Sequence, residues 1–387
     1  MAEIKNLKKA ASRILKAVKN KEKIILYGDA DLDGVTSVII LKDTIKNLGG
    51  KITAVYFPDR EIEGYGISEQ GLNFFKKEAP ALFIAVDCGI GNFKETKLAR
   101  ELGFETIIID HHKVLDDLPD ADIIVDPKQK EDKYPFKGLA SVGIVFKLSE
   151  ILLKNKMTES LRKNFLELVA MATIADMMPK EGENDFFIKE GLHSLEKSFR
   201  PGIKAFFETA VIKNCPDIWH KVSKMNSILN IRDVENRLPA SFRLLTASSV
   251  EETKELLGKL LVKAKVRREK IQEIINEVEE RISGKDEPII FEGGEDFELT
   301  LISSVASVIC QKYQKSTFLF KKLKQESQGT VRTPSKVDSV ELMKKCSEYL
   351  LTYGGHPQAS GFRIKNDNLE QFKNCLTNRV FAEQKRR

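Results

Sequence analysis

Three carboxylates stand at alternate positions in Gly28-Asp29-Ala30-Asp31-Leu32-Asp33-Gly34, directly after the apolar run Lys23 to Tyr27. Asp87 follows a second apolar run, Leu82 to Val86, and Asp110-His111-His112 follows a third, Thr106 to Ile109. Asp176 closes an apolar helical stretch, about Leu161 to Ala175, that can overhang the same edge. Together Asp29, Asp31, Asp33, Asp87, His111 and Asp176 would gather five carboxylates and one imidazole. Carboxylates so close cannot all ionise without a compensating cation. Oxygen and imidazole donors without thiolate favour manganese or magnesium, and the imidazole tilts the choice toward manganese. Six donors exceed what one octahedral ion with an open position needs. The expectation is therefore two divalent ions about 3.5–4 Å apart, bridged by Asp87 or a hydroxide.

Blander readings compete. Asp29-x-Asp31-x-Asp33-Gly34 also opens like a calcium-binding loop, but the twelfth position, where a bidentate Glu belongs, is Ile40, and apolar helix follows where ligands should be. Helix capping accounts for any one of the acids taken singly. It does not account for the set, because the chain has only five histidines and two of them stand side by side at a strand end after Asp110. His193 and His220 lie in no such pattern and read as structural.

The elements that must position these groups are short apolar runs alternating with helical patterns: Lys23 to Tyr27, Ile52 to Phe57, Leu82 to Val86, Thr106 to Ile109 and Asp122 to Val125. Such alternation predicts an α/β fold with parallel strands and crossover helices. A helix of about Val35 to Leu48 stops at Gly49-Gly50. In an open parallel sheet, ligands collect beyond the carboxyl ends of the strands, which is where the acids and imidazoles fall. Val250 to Ile282 reads as one long charged helix, and Ser283 to Pro288 breaks it. The predicted organisation is a catalytic domain over 1–249, a connector helix over 250–282 and a smaller α/β domain over 283–387. The connector's Lys263, Lys265, Arg267, Arg268 and Lys270 are candidates to attract a nucleic-acid backbone, with a solvated helix face as the plainer alternative.

Composition bounds the reading. With 387 residues, two domains are the natural division. Hydrophobic residues at 42% and charged residues at 31% describe an ordinary soluble protein, and no apolar run approaches the ~18 residues of a membrane span. The first residues alternate Lys with Ile, Leu and Ala without the apolar core of a signal peptide, so a cytoplasmic location is expected. A net charge of +6, from 63 basic and 57 acidic residues, suits an anionic partner without requiring one. Five scattered cysteines with no C-x-x-C pair argue against a disulfide framework or a zinc ribbon.

Asp110-His111-His112 resembles the signature of the DHH phosphoesterases. Three flanking motifs match that superfamily in order: Gly28-Asp-Ala-Asp-Leu-Asp-Gly34, Val86-Asp-Cys-Gly89 and Ala175-Asp-Met-Met-Pro179. Two further segments are similar to the RecJ branch: Pro58-Asp-Arg-Glu-Ile-Glu-Gly-Tyr-Gly66, and Ile124-Val-Asp-Pro127 leading through Tyr134-Pro-Phe136 to Ser141-Val-Gly143. Cyclic-dinucleotide and nano-RNA phosphodiesterases of the superfamily usually lack the first of these. Thr352-Tyr-Gly354-Gly355-His356-Pro-Gln-Ala359-Ser360-Gly361 resembles the glycine-rich signature of the DHH-associated C-terminal domain, and Gly329-Thr-Val-Arg332-Thr333 its substrate-contacting strand. Two departures stand out. Glu298 to Ala306 lacks the glycine-rich segment usual in RecJ proteins, and the family's Asn- and Arg-containing segment is blurred, leaving Arg232 and Arg237 as alternatives for its phosphate role. The sequence also ends at Arg387 without the oligonucleotide-binding barrel that larger RecJ proteins append, so weaker binding, or help from a partner, is expected.

The resemblance implies a two-metal single-strand DNA exonuclease, 5′-to-3′ and releasing mononucleotides, active in DNA repair and recombination, with single-stranded nucleic acid as partner beside a single-strand-binding or replisome protein. Two ions would generate a nucleophile from water. His112 would hydrogen-bond the phosphate oxygens, with Asp110 supporting the metal ligands from behind. Arg332, Thr333, Gly354, Gly355, His356, Ser360, Arg60 and Tyr65 would contact substrate, the glycine loop offering backbone N–H groups. The alternatives are a nano-RNA or cyclic-dinucleotide phosphodiesterase and a non-catalytic replisome scaffold.

Overall fold

The computed structural model describes residues 3–60, 62–114 and 117–384. It divides into two compact units, Met1–Val262 and Lys263–Arg387. The first unit runs α1 (Leu7–Asn20), β1 (Ile24–Gly28), α2 (Leu32–Asn47), β2 (Ala54–Tyr56), α3 (Glu69–Phe75), β3 (Ala81–Val86), α4 (Phe93–Glu101), β4 (Phe104–Ile109) and β5 (Ile123–Val125). Helices α5 (Ser141–Leu153), α6 (Glu159–Ala175), α7 (Gly182–Leu195), α8 (Pro201–Glu208), α9 (Ala210–Lys213) and α10 (Ile218–Leu229) follow. A two-stranded ribbon, β6 (Val234–Glu235) and β7 (Leu238–Pro239), leads to α11 (Ala240–Thr246) and the long α12 (Val250–Ile282). The second unit carries β8 (Ile289–Gly294), α13 (Leu299–Tyr313), β9 (Ser316–Lys322), β10 (Glu326–Arg332), α14 (Ser339–Lys344), β11 (Leu350–His356), β12 (Ala359–Lys365) and α15 (Leu369–Gln384).

All five expected strands form, and they pair in parallel in the order β2-β1-β3-β4-β5. The residues of β1 and β3 are buried throughout, which is why these strands read as continuous apolar runs rather than as alternation. One face packs Ile25, Tyr27, Phe83 and Ile108 with Leu72 and Phe75 of α3 and Ala99 of α4. Because β2 and β3 both flank β1, the order reverses between β1 and β3. That is the switch point at which open α/β sheets leave a crevice beyond their carboxyl ends.

Helix α2 begins three residues earlier than the expected Val35, at Leu32. Asp31 caps it, its side chain accepting from the amides of Asp33 (3.0 Å) and Gly34 (3.1 Å). Gly34 is required here because a Cβ would lie 2.4 Å from the Asp29 carbonyl oxygen.

Helix α12 forms over the residues expected of the connector, but the division between units falls inside it. Leu257 and Leu260 are buried on its first half, and Ile275 and Val278 on its second. The second unit's sheet, β11-β12-β10-β9-β8, is antiparallel except for the β8–β9 pair. Phe291, Phe318, Phe320, Phe362 and Phe372 fill one core, and Ile302, Val305 and Ile309 of α13 build another with Leu319 and Phe297.

Two sequence expectations are corrected. The stretch Gly354 to Gly361 is no open glycine loop. Gly354 pairs with Gly361 and Gly355 with Ser360 in a β11–β12 hairpin, in which β12 alternates buried Ser360, Phe362 and Ile364 with more exposed neighbours. Scattered cysteines also conceal a disulfide, Cys346–Cys375, between residues 29 apart. Both lie on the α14–α15 side of that sheet, a proximity that spacing along the chain does not encode.

Candidate metal centre

The three loops after β1, β3 and β4 open at one edge of the parallel sheet and carry Asp29 to Asp33, Asp87, and Asp110 to His112. The C-terminal end of α6 adds Asp176. Donor atoms of Asp33, His111 and Asp176 lie within 4.8 Å of one another, as do those of Asp29, Asp31 and Asp87, and those of Asp87, His111 and His112. His111 Nε2 is 3.4 Å from Asp87 Oδ1, 3.5 Å from Asp176 Oδ2 and 3.8 Å from Asp33 Oδ2. These separations exceed hydrogen-bonding distance. They approach the roughly 3 Å between neighbouring donors on one octahedral ion with ~2.1 Å bonds. The donor set is oxygen and imidazole, which matches the chemistry of manganese and magnesium. By spacing and by donor type, the residues fit divalent cations in two adjacent groups joined through Asp87 and His111.

The electrostatics point the same way. Burial, then the charges of Asp176 and Asp31, push Asp33 well above the usual carboxylate range. Burial, followed by Asp33 and Asp31, does the same to Asp87. Asp176 is raised to about 7 by burial and by Asp31. Asp33 is nevertheless held by protein donors. The amides of Ser141 and Val142, at the start of α5, each reach it at 2.8 Å, so a helix N-terminus points at the carboxylate. The Ser141 hydroxyl donates to Asp87 Oδ1 at 3.0 Å. Asp87 itself sits at φ 61°, a left-handed conformation that a residue with a Cβ adopts only against strain.

Asp110 takes no place among the three donor groups. Its Oδ1 accepts from the His111 amide (2.7 Å) and lies 2.8 Å from His112 Nδ1, while Oδ2 accepts from the Ile90 amide (3.0 Å). Burial opposes its charge, but the bond to His112 and the two imidazoles prevail and hold Asp110 at about 2. Burial would lower His112, yet its bond to Asp110 outweighs that and raises it. The Tyr65 hydroxyl is 3.1 Å from His112 Nδ1 and donates to the Asp87 carbonyl at 3.1 Å.

Arg60, expected at the substrate, makes its bonds to candidate ligands. Nε donates to Asp29 Oδ1 at 2.8 Å and Nη2 to Asp31 Oδ2 at 2.9 Å, with the guanidinium 5.5 Å from the Tyr65 ring centre. Arg232 grips Asp59 through both carboxylate oxygens. Arg237, at φ 63° in the β6–β7 turn, lies 4.5 Å from the Phe74 ring centre and donates to the Tyr56 hydroxyl. Both arginines therefore pack against the residues that frame the Arg60–Tyr65 loop.

In the second unit, Arg332 ends β10. It donates to Ser307 Oγ (3.1 Å), Thr330 Oγ1 (3.0 Å), the Val331 carbonyl (2.8 Å) and Ser303 Oγ. The Thr333 hydroxyl donates to the carbonyls of Val337 (2.7 Å) and Pro357 (3.2 Å), and Ser360 Oγ is 2.6 Å from Ser339 Oγ. Gly354 and Gly355 lie on β11, an edge strand. The side chain of His356 lies outside the described residues. On α12, Arg267 donates to the Thr300 carbonyl and Ser304 Oγ at 3.2 Å each, and Lys270 pairs with Glu298, so both brace the start of α13.

Sequence reasoning gave no role to Ser141, Val142, Ser303 or Ser307. The first two had a signal, a Ser-Val-Gly helix start among the motifs. The serines of α13 had none, since serine on a helix is ordinarily solvated.

Comparison with known proteins agrees with this geometry. Residues 23–173 match the family model for the DHH family, N-terminal domain. Along nearly its whole length it is RecJ-like. It is 32% identical to the single-stranded-DNA-specific exonuclease RecJ of Bacillus subtilis (strain 168), over 97% of this chain and 48% of that protein. It is 27% identical to the protein of the same name from Thermus thermophilus, over 96% of this chain and 54% of that one. The chain thus spans about half the length of these curated relatives. A crystal structure of exonuclease RecJ bound to manganese superposes with a TM-score of 0.77 at 25% identity, covering 98% of this chain and 95% of that one. Among the described residues no helix is long and apolar enough to cross a membrane.

Proposed function

We propose that this chain is a metal-dependent phosphodiesterase that removes mononucleotides from the 5′ end of single-stranded DNA. The observation that carries the reading is the His111 imidazole set among carboxylates delivered by three separate elements. Asp33, His111 and Asp176 would hold one divalent ion, and Asp29, Asp31 and Asp87 a second, manganese by preference and magnesium as substitute. When bound, such a pair supplies an acidified water and neutralises phosphate charge. The chain's own residues do the rest. Ser141 and the α5 amides fix the carboxylates of Asp87 and Asp33. The bond to Asp110 aims His112 and raises it, which favours the protonated form that would donate to a phosphate oxygen as charge develops. The Tyr65 hydroxyl, 3.1 Å from the same His112 nitrogen, helps to hold the ring in place. Arg332 is supported as a phosphate contact by having neutral oxygens for partners among the described residues, and Gly354 and Gly355 offer an edge-strand backbone in the same sheet, with β12 between.

Strands labelled at either end and incubated with manganese, with a chelator control, test this. Stepwise loss of the 5′ label as mononucleotide, abolished by chelation, is expected. Intact strands in manganese would refute the reading. A dinucleotide cut faster than a long strand would move the substrate to small phosphodiesters.

A further inference from the structure

Helix α6 closes in a Schellman motif with Asp176 as its C-cap. The Met177 amide donates to the Ile174 carbonyl (3.2 Å) and the Met178 amide to the Thr173 carbonyl (3.1 Å). Met177 therefore occupies the position that glycine usually takes, at φ 55°, where an L side chain meets a steric penalty. It gains no packing in return, because its side chain is 87% exposed. Asp176, immediately before it, has its carboxylate 3.5 Å from His111 Nε2. A strained, solvent-facing thioether is thus held at the lip of the acid cluster, where glycine would serve the fold better.

Four residues beyond Asp176, within a chain reach of roughly 14 Å, Lys180 Nζ stands 3.8 Å from the ring centre of Trp219. Lys180 is exposed and Trp219 half-buried in the first turn of α10. A cation laid over an indole, three residues along the chain from an exposed thioether, is a combination suited to a nucleotide: the ring and the sulfur offer faces for a base, and the ammonium offers a charge for its phosphate.

We propose that Met177, Lys180 and Trp219 form a base-contacting ledge beside the metal centre, which receives the unstacked bases of a single strand. The inference rests on the nuclease reading. Bases inside a duplex keep their faces against one another, so the ledge favours single strands by contact chemistry alone.

Trp219 is the only tryptophan in the chain, so its emission reports on the ledge directly. A dye-labelled oligothymidylate is titrated into the full chain in calcium, with anisotropy and indole emission read on the same samples. Quenching with the midpoint of the anisotropy curve is expected. Trp219→Phe should weaken binding about threefold and Trp219→Ala about tenfold. Met177→Gly should weaken binding while melting no lower than the parent. Strand binding and normal cleavage with silent Trp219 emission would overturn the ledge and leave the nuclease reading standing. Absence of any strand binding or cleavage would remove both. A Met177→Gly variant that melts lower but binds normally would assign Met177 to the fold and overturn its place in the ledge.

Discussion

In the first unit, buried Asp33 and Asp87 and half-buried Asp176 surround an imidazole, and loss of solvent drives each carboxyl toward its neutral form. In the second, Arg332 is half-buried, and the oxygens it meets are hydroxyls and a carbonyl. One unit gathers acids into a local cluster, and the other holds a positive charge among neutral dipoles. The first arrangement calls for a cation and the second for an anion. The scaffolding differs accordingly. The acids come from a strained loop position at Asp87, the first turn of α2 and the end of α6, whereas Arg332 lies on a regular antiparallel strand braced by α13.

If the two regions divide the work in this way, variants should separate metal binding from strand binding. His111→Ala has the largest expected effect. Manganese-dependent cleavage should fall by more than about 10³-fold, with weaker manganese binding by calorimetry and an unchanged circular-dichroism spectrum. Full turnover in that variant would break the metal assignment outright. Asp110→Asn should cost about 10–100-fold. Because Asp110 raises His112, its loss should also move the alkaline limb of the rate profile to lower pH. An unshifted profile would detach His112 from the proton-donating role.

Arg332→Ala should raise KM about tenfold while leaving kcat and manganese affinity alone, and Arg332→Lys should not rescue it, since an ammonium lacks the planar fork. Weakened manganese binding in Arg332→Ala would erase the contrast between the units. Arg60→Gln is expected to tighten manganese binding by a smaller factor, because its guanidinium no longer competes for Asp29 and Asp31. Isothermal titration of the two proteins decides it, and equal affinities would return Arg60 to substrate alone.

Glu167 is a control outside both regions. Burial lifts it from 4.5 to about 7. The folded state thus keeps a proton that the unfolded chain releases across that window, and stability falls as pH rises through it. Glu167→Gln should match the parent below the window and exceed it above by on the order of 1–3 kcal/mol, with turnover unaffected. Equal melting above the window would show that Glu167 bears no such penalty.

Much of the first region was legible in order along the chain. Continuous apolar runs such as Leu82 to Val86 betray strands buried on both faces, and whatever follows them must emerge at the sheet's carboxyl edge. Asp29, Asp87 and His111 could thus be placed together before any coordinates. The strained Asp87, the α5 amides on Asp33 and the grip of Arg60 on Asp29 were not legible, since they depend on how loops fold against helices distant in sequence. In the second unit the glycines of β11 suggested a loop, and pairing with β12 was stronger than that local signal.

The amino-acid sequence by itself determined which residue types emerge beyond which strands, because hydrophobic periodicity acts over a few neighbouring residues and sets each element's direction. Only the tertiary structure decided how the donors gather into overlapping groups, that Arg60 reaches Asp29 and Asp31, and that Cys346 meets Cys375. Those outcomes turn on distances of a few ångströms between segments far apart along the chain, and packing alone sets such distances.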